Sequence, residues 1–198
     1  EVLVSTYTNI SSVLPIIYLG AKPVFIDIQK DTCNLDPKIL ESKINKKTKA
    51  IIVVHIFGHP VDMDVVMKTA KKHNLFVIED VAEALGSTYK DKPVGSIGDM
   101  GCFSFLANKF ITTGEGGMIT FNNKELYEKA FSMRSLSFGK KNRYMHDYFG
   151  YNFRMSNVLA ALGLSQFKKI NKIINKKREI ANFYLDSFKD VKEFQLPV

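Results

Sequence analysis

The sequence predicts an α/β fold in which a mostly parallel sheet lies between two layers of helices, a three-layer sandwich. Short apolar segments alternate along the chain with longer amphipathic ones, which is typical of parallel strands joined by crossover helices. The segment 50–56 is apolar almost throughout and does not alternate, as expected for a strand covered on both faces. The 198 residues, 45% of them hydrophobic, are enough for a domain with a buried core.

Turn and cap residues set the bounds of these elements. The predicted strands are residues 2–4, 22–28, 50–56, 75–78, 102–105 and 118–121. The predicted helices are residues 10–19, a segment capped by Asp36, and residues 62–73, 126–133 and 157–188. Gly20 stops the first helix, because glycine readily adopts the left-handed conformation at a helix end. Pro37 suits the first position of the second helix, where its missing N–H costs nothing.

Composition and charge exclude several classes of function. The formal net charge is +8, and residues 168–178 hold five lysines and one arginine. Apolar residues recur at helical spacing in this segment, so its lysines form a solvated helix face and we expect no nucleic-acid partner. No apolar run is long enough to cross a bilayer, and we expect no membrane partner. Two cysteines, with neither metal-type spacing nor a disulfide framework, indicate a reducing cytoplasm.

A lysine beside a glycine-rich turn is the first candidate for chemistry. Lys109 follows the predicted strand 102–105, and residues 112–118 read Thr-Thr-Gly-Glu-Gly-Gly-Met. Such a lysine can hold a phosphate or form a Schiff base, and glycines let the backbone approach a cofactor closely. In nucleotide-binding P-loops the lysine follows the glycines, whereas here it precedes them, which argues against a P-loop.

Asp80 and Ser104 make this lysine part of a candidate cofactor site. Both lie at the carboxyl ends of predicted strands, where open α/β sheets bind ligands. An enzyme that uses pyridoxal 5'-phosphate (PLP) needs a lysine for the Schiff base and an acidic partner for the pyridine nitrogen. It also needs donors for the phosphate, which a serine hydroxyl supplies. Each residue alone has a simpler interpretation as a cap, a strand serine or a surface lysine, so the prediction depends on the set.

Five segments resemble, in the same order, parts of the sugar aminotransferase family called DegT/DnrJ/StrS. They are residues 20–27, 54–64, 79–89 (Glu-Asp-Val-Ala-Glu-Ala-Leu-Gly-Ser-Thr-Tyr), 98–118 and 150–155 (Gly-Tyr-Asn-Phe-Arg-Met). The resemblance spans nearly the whole chain. It implies an aspartate-aminotransferase-like fold of fold type I, with residues 1–156 as the PLP-binding large domain. Residues 157–198 would then be the connector helix toward a small C-terminal domain.

The resemblance also implies a role for each candidate residue. Lys109 matches the catalytic Schiff-base lysine, Asp80 the partner of the pyridine nitrogen, and Ser104 a phosphate ligand. Glu83 falls where the family places a polar residue near the ring hydroxyl of the cofactor. Asn152 matches an asparagine that, in homodimers of the family, reaches the phosphate of the neighbouring subunit's cofactor. No metal ligand is implied.

The implied activity is that of a cytoplasmic aminotransferase for surface-polysaccharide or deoxysugar biosynthesis. It would move an amino group from glutamate to a nucleotide-linked keto-sugar. Residues 144–152 resemble the stretch found in members that aminate a GDP-linked 4-keto-6-deoxy sugar, although a surface turn explains His146 and Asp147 equally well. Two alternatives stay open. One is a PLP-dependent sugar dehydratase, whose relatives carry histidine in place of the lysine. The other is a truncated, non-catalytic paralogue that acts as an interaction partner.

Three departures from the family pattern accompany the resemblance. Asn9 stands where the family has an aromatic residue over the cofactor ring, with Tyr7 two residues earlier. The family's phosphate-binding Gly-Thr or Gly-Ser turn belongs before the first residue, and most of the small domain belongs after the last. We therefore expect the chain to be an N-terminally incomplete fragment of a longer enzyme.

Overall fold

A computed structural model, which describes residues 1–139 and 142–198, places six of its eight strands in one sheet. The strands are β1 (Val2–Ser5), β2 (Pro23–Ile26), β3 (Ala50–Val54), β4 (Phe76–Asp80), β5 (Thr88–Tyr89), β6 (Lys92–Pro93), β7 (Met100–Ser104) and β8 (Gly117–Phe121). The sheet has the order β2-β1-β3-β4-β7-β8, and β5 and β6 form a separate hairpin. The first five strands in that order run parallel, and β8 is antiparallel to β7. The predicted mostly parallel sheet is confirmed.

In the described part of the chain, three helices lie between strands, and three follow the last strand β8. They are α1 (Leu14–Tyr18), α2 (Leu40–Lys43), α3 (Met63–His73), α4 (Lys124–Met133), α5 (Asn157–Phe167) and α6 (Ile170–Phe188). Asp62 caps α3 through a hydrogen bond from the Val65 N–H, and Asn74 ends it in the left-handed conformation. Among the described residues, no helix combines the length and the apolar character that crossing a membrane requires.

The central strand β3 separates two hydrophobic cores, because its side chains alternate between the faces of the sheet. Ile51 and Val53 pack in one cluster with residues of α2 and α3. Ile52 and Val54 pack in a second cluster with residues of α1. All five residues of β3 are buried. The centre of the sheet is therefore covered on both faces, and the predicted three-layer arrangement is confirmed.

The buried carboxylate of Glu79 connects β4 with its neighbours. Its Oε2 accepts hydrogen bonds from His55 Nε2 at 3.1 Å and from the Gly95 N–H at 2.7 Å. Its Oε1 accepts from the N–H groups of Ile97 and Gly98 at 2.8 and 2.7 Å. The side chains of Glu79 and His55 are both fully buried. One carboxylate thus ties β4 to the end of β3 and to the segment that enters β7.

The hydrogen bonds of the histidine determine where its proton lies. The Val61 N–H donates to His55 Nδ1 at 3.1 Å, so the ring proton is on Nε2 and is donated to Glu79. Burial raises the pKa of Glu79, but the hydrogen bonds from His55 and from three backbone N–H groups outweigh it. As a result, the pKa of Glu79 lies below its ordinary value of 4.5. The buried group is therefore an ionised carboxylate at neutral pH.

The prediction of one continuous helix over residues 10–19 is wrong, because the segment is divided into two elements. The chain forms a 3₁₀ turn at Ile10–Ser12 and then the short helix α1. A continuous helix would need a backbone N–H at Pro15 to donate to the carbonyl of Ser11, and proline has none. The helix therefore begins again at Leu14, with Pro15 in its first turn.

The predicted single helix over residues 157–188 is also divided, into α5 and α6. Lys169 lies between them with φ −110° and ψ 12°. A Cβ on Gly163 of α5 would lie 2.7 Å from Thr113, and one on Gly86 would lie 2.4 Å from Ile174 of α6. The break thus lets each helix pack closely on a different loop.

The β5–β6 hairpin was not predicted from the sequence. Its two turn residues, Lys90 and Asp91, have φ of 47° and 65°. Positive φ at both positions is the pattern of a type I′ turn, which normally uses Asn-Gly or Asp-Gly. Lys-Asp gives no such signal, so the sequence does not mark the hairpin.

We predict that Glu79→Gln lowers the free energy of unfolding by roughly 3 kcal/mol or more. Glutamine replaces one acceptor oxygen with an NH₂ group that faces buried donors. Because the folded pKa is depressed, the contribution of Glu79 is present above pH 4.5 and is lost as pH falls further. The acid-induced loss of stability below pH 4.5 should therefore be shallower in the variant. Urea unfolding over a pH series measures both effects.

The exposed Glu179, which pairs with Lys176 on α6, provides the matched control. Glu179→Gln should change the urea midpoint little, because exposed ion pairs contribute little. A Glu79→Gln protein as stable as this control at neutral pH would contradict the anchoring role of the carboxylate.

Candidate cofactor site

A cavity of about 390 Å³ opens at the carboxyl edge of the sheet. Val54, Asp80 and Ser104, the last residues of β3, β4 and β7, contribute to its wall. Glu83 and Lys109 line it from the segments that follow β4 and β7. The structure thus brings together four of the five predicted site residues, where parallel sheets place their ligand sites.

Asp80 is held rigidly at the bottom of the cavity. Its backbone pairs in register with Val54 on β3 and with Cys102 on β7. Its Oδ2 accepts a hydrogen bond from Ser12 Oγ at 2.7 Å, and its Oδ1 accepts from the Ala82 N–H at 3.0 Å. A carboxylate oxygen can accept two hydrogen bonds, so each oxygen keeps capacity for a ligand donor.

The thiol of Cys102 also lines the cavity. Burial, and next the negative charge of Asp80, raise the pKa of Cys102 to about 11. The thiol is therefore protonated at physiological pH, and only a thiolate acts as a nucleophile or a metal ligand. Cys102 is a neutral wall residue.

The hydroxyl of Ser104 and the amine of Lys109 are both available to a ligand. Ser104 Oγ accepts from the Leu106 N–H at 3.3 Å, which leaves its own proton free to be donated. The Lys109 N–H donates to the Leu106 carbonyl at 3.0 Å, which turns the chain back toward the cavity. Within residues 1–139 and 142–198 the half-buried Lys109 amine has no hydrogen-bond or ion-pair partner.

Gln166 on α5 holds the loop that carries Lys109. The Thr112 N–H donates to Gln166 Oε1 at 3.0 Å, and Gln166 Nε2 donates to the Thr112 carbonyl at 2.7 Å. Thr112 Oγ1 in turn donates to the Phe105 carbonyl and accepts from the Gly114 N–H. Both ends of the loop are therefore connected through Thr112 to a single helix side chain.

Glu83 has a structural contact besides its place in the cavity wall. Its Oε2 accepts from the Phe57 N–H at 2.9 Å. Phe57 has φ +52°, an uncommon conformation for a residue other than glycine. The contact thus joins the turn after β4 to the strained turn after β3.

Asn152 lies outside this cavity. It is exposed and lines a separate pocket of about 450 Å³ together with Arg143 and Arg154. Its neighbours Tyr151 and Phe153 stack on each other with ring centroids 4.8 Å apart. The structure therefore separates Asn152 from Lys109 within one chain.

Asn9, which aligns with the family's aromatic position, lines the cavity. Its Oδ1 accepts from the N–H of Ser11 at 3.0 Å and from the Ser11 hydroxyl at 2.8 Å. Tyr7 instead makes an edge-to-face contact with Phe57, with ring centroids 6.1 Å apart. The wall therefore presents an amide, and not an aromatic ring, at this position.

Sequence reasoning missed Ser12 and Gln166. Their hydrogen bonds to the site span 68 and 54 positions, so no local motif announces them. A weak signal exists for Ser12, because a serine just before the apolar run 13–19 of a predicted helix is expected to need a partner once buried.

The chemistry of the wall fits PLP. The cavity offers an amine that has no partner among the described residues, a carboxylate with spare acceptor capacity and a serine hydroxyl with a free proton. The amine suits the aldehyde of PLP, the carboxylate suits the ring nitrogen, and the hydroxyl suits the phosphate. The volume also lies within the roughly 300–1,000 Å³ that is usual for small-molecule sites.

The chain matches the DegT/DnrJ/EryC1/StrS aminotransferase family over residues 1–198. It is 49% identical over 184 residues to the GDP-perosamine synthase of Escherichia coli O157:H7, covering 93% of this chain and 50% of that relative. The chain spans about half the length of the curated relatives it matches.

Two solved structures show the same architecture. One is Helicobacter pylori PseC, an aminotransferase involved in the biosynthesis of pseudoaminic acid. It superposes with a TM-score of 0.92 at 38% identity, covering 96% of this chain and 52% of that one. The other is the PLP-form of Spr1654 from Streptococcus pneumoniae. It has a TM-score of 0.87 at 33% identity and covers 96% of this chain and 54% of that one.

We predict that Gln166→Leu loosens the loop that carries Lys109. The variant removes two hydrogen bonds to Thr112, each worth roughly 1 kcal/mol. Amide hydrogen exchange over residues 106–114 should then be roughly 10- to 30-fold faster. Ser165→Ala is the control, because the Ser165 hydroxyl bonds only to the Leu162 carbonyl in its own helix. Equal exchange in both variants would contradict the role of Gln166.

Proposed function

This chain belongs to the DegT/DnrJ/EryC1/StrS aminotransferase family, and on that premise we propose that it forms the cofactor-binding part of a PLP-dependent aminotransferase. The acceptor is a nucleotide-linked keto-sugar, and the donor of the amino group is glutamate. The observation that carries the proposal is the convergence of Asp80, Ser104 and Lys109 on one cavity. Three separate segments supply these residues, and each has the chemistry that one part of PLP requires.

Four residues of the cavity wall have a defined task in this proposal. Lys109 would bind the aldehyde carbon of PLP, Asp80 the ring nitrogen and Ser104 the phosphate. Glu83 would serve the ring hydroxyl. When bound, PLP supplies a protonated ring that takes up the electron pair left at the substrate carbon.

The protein's own part in the chemistry is the handling of protons. Asp80 would keep a proton on the ring nitrogen, and the donors Ser12 and Ala82 hold its two oxygens in place. The Lys109 amine, once released from the cofactor, would take the proton from the α-carbon of the amino donor and return it on the cofactor side. The protonated thiol of Cys102 does not compete for the aldehyde, because the thiolate is the reactive form.

A GDP-linked 4-keto-6-deoxy sugar is the substrate class that we propose. The support is the similarity to the GDP-perosamine synthase of E. coli O157:H7, together with the resemblance of residues 144–152. That stretch presents Tyr144, Tyr148 and Phe149 at the surface, with 88%, 53% and 94% of each residue exposed. Aromatic side chains of this kind stack on nucleotide bases.

The pattern of exposure supports a homodimer. Helix α5 is apolar on all sides, yet Val158 and Leu164 are 79% and 57% exposed. Exposed apolar surface of this extent marks an interaction site. In the proposed dimer the pocket of Asn152, Arg143 and Arg154 faces the partner's cavity, where an amide and two cations suit a phosphate.

We also propose the division of the chain that the sequence predicts. Residues 1–156 form the large PLP-binding domain, and residues 157–198, which contain α5 and α6, lead toward a small domain. A reducing cytoplasm is the proposed compartment, since Cys33 and Cys102 are free thiols.

The two alternatives from the sequence have less support. A sugar dehydratase of this family would carry histidine in place of Lys109. A non-catalytic paralogue would not require Asp80, Ser104 and Lys109 to line one cavity.

We predict that Lys109→Ala abolishes covalent binding of PLP. Protein carrying this chain should show the absorption band of lysine-bound PLP, and borohydride should fix the cofactor on Lys109. Lys109→Arg should fail as well, because arginine stays protonated and cannot form the bond. Lys46→Ala, at an exposed lysine elsewhere, is the control and should bind normally. Peptide mass mapping after reduction identifies the modified lysine, and a label on any other residue would refute the assignment.

The role of Asn152 leads to a test with mixed dimers. We predict that Lys109→Ala and Asn152→Asp subunits, each inactive or weak alone, form mixed dimers with about half of the normal transaminase activity. One of the two sites then receives both intact residues, provided that Asn152 serves the partner's site. Mixed dimers of Lys109→Ala and Asp80→Asn are the control and should stay inactive, since both residues line the same cavity. No recovery in the first pair would place Asn152 outside the partner's site.

A further inference from the structure

Ser12 lies directly behind the carboxylate of Asp80. Only 6% of the residue is exposed, and its hydroxyl donates to Asp80 Oδ2 at 2.7 Å. It belongs to the 3₁₀ turn Ile10–Ser12, which follows β1 and is capped by Asn9. The turn is closed by a backbone hydrogen bond from the Ser12 N–H to the Asn9 carbonyl, and the Ser12 hydroxyl takes no part in it. The side chain is therefore committed to Asp80.

A count of protons fixes the direction of the hydrogen bonds behind Asp80. A carboxylate only accepts, so the single hydroxyl proton of Ser12 goes to Asp80. Thr8 Oγ1 lies 2.8 Å from Ser12 Oγ, and it must then be the donor in that contact. The result is a relay of hydroxyl groups from Thr8 through Ser12 to Asp80. Each donor in the relay strengthens the next.

The relay also fixes how the carboxylate is turned. The Ala82 N–H holds Oδ1 at 3.0 Å while Ser12 holds Oδ2. Rotation of the carboxylate about its bond to Cβ would break both hydrogen bonds, so the group has one stable orientation. The titratable groups around it are Cys102 on β7, Glu83 in the following turn and Lys109 in the cavity wall.

We propose that Ser12, supported by Thr8, is a positioning residue that aims the carboxylate of Asp80 at the place of the ring nitrogen of PLP. This inference rests on the proposed function. Ser12 acts through Asp80 and does not itself line the cavity. Without the hydroxyl, Asp80 loses a charge-assisted hydrogen bond and one of the two contacts that orient it.

The test compares Ser12→Ala with Asp80→Asn in protein loaded with PLP. Ser12→Ala should still bind PLP covalently, but the pH midpoint of its absorption change should shift toward that of Asp80→Asn. The kcat for transamination should fall roughly 10- to 100-fold, as expected for loss of a hydrogen bond to a charged group, with KM little changed. Ser12→Thr keeps a hydroxyl and should restore the midpoint. Ser42→Ala, whose hydroxyl bonds only to the Ile39 carbonyl, is the control.

The outcomes separate this inference from the proposed function. Covalent binding of PLP that survives Lys109→Ala would refute the function, whatever Ser12→Ala does. Normal binding in the unmodified protein, with a Ser12→Ala midpoint and kcat like those of Ser42→Ala, would overturn the role of Ser12 alone. If Ser12→Ala does not fold, Thr8→Val carries the test, because it removes the donor to Ser12. Since Thr8 also lines the cavity, covalent binding of PLP is measured beside the midpoint and should stay normal. A pH midpoint of Thr8→Val that moves toward that of Asp80→Asn supports the relay, and an unchanged midpoint overturns it.

Discussion

The arrangement of the site depends on the fully buried carboxylate of Glu79. It accepts hydrogen bonds from His55 at the end of β3 and from three N–H groups in residues 95–98, just before β7. Successive side chains of a strand point to opposite faces, so anchoring Glu79 on one face sets Asp80 on the other. A shift of β4 by one residue would exchange the two carboxylates. The carboxylate of Asp80 would then be buried in the place of Glu79. The free-energy cost of that exchange fixes the register of β4.

The fold could be predicted largely because its strands are nearly pure apolar runs. The strand Ala50–Val54 is buried on both faces, and its apolar run predicts a strand directly. The other apolar runs end where polar residues such as Asp80 and Ser104 begin. Since the carboxyl ends of parallel strands share one edge of the sheet, the strand order alone is enough to bring these candidate residues together. The family resemblance then assigned their roles, which the apolar pattern could not have done.

The rest of the site was not predictable from one sequence, for a physical reason. Ser12 and Gln166 act through hydrogen bonds to positions 68 and 54 residues away, and such pairs leave no periodic or local pattern. The division of residues 157–188 into two helices has the same origin. The break accompanies the close packing of Gly163 on Thr113, a contact between distant segments. Helical propensity alone favours the continuous helix.

The two sides of the cavity are held by different parts of the chain. Asp80 and Ser104 are strand residues whose backbones are fixed by the sheet, whereas Lys109 stands on a loop that Gln166 holds from α5. This difference suits the proposed chemistry. A carboxylate that pairs with a ring must stay still, because its charge acts through a fixed contact. A lysine that binds a cofactor, is released and then moves a proton must change position within each cycle. A loop with its ends secured keeps the base of the Lys109 side chain at the cavity, and the flexible four-carbon stem of lysine lets the amine move without disturbing the sheet.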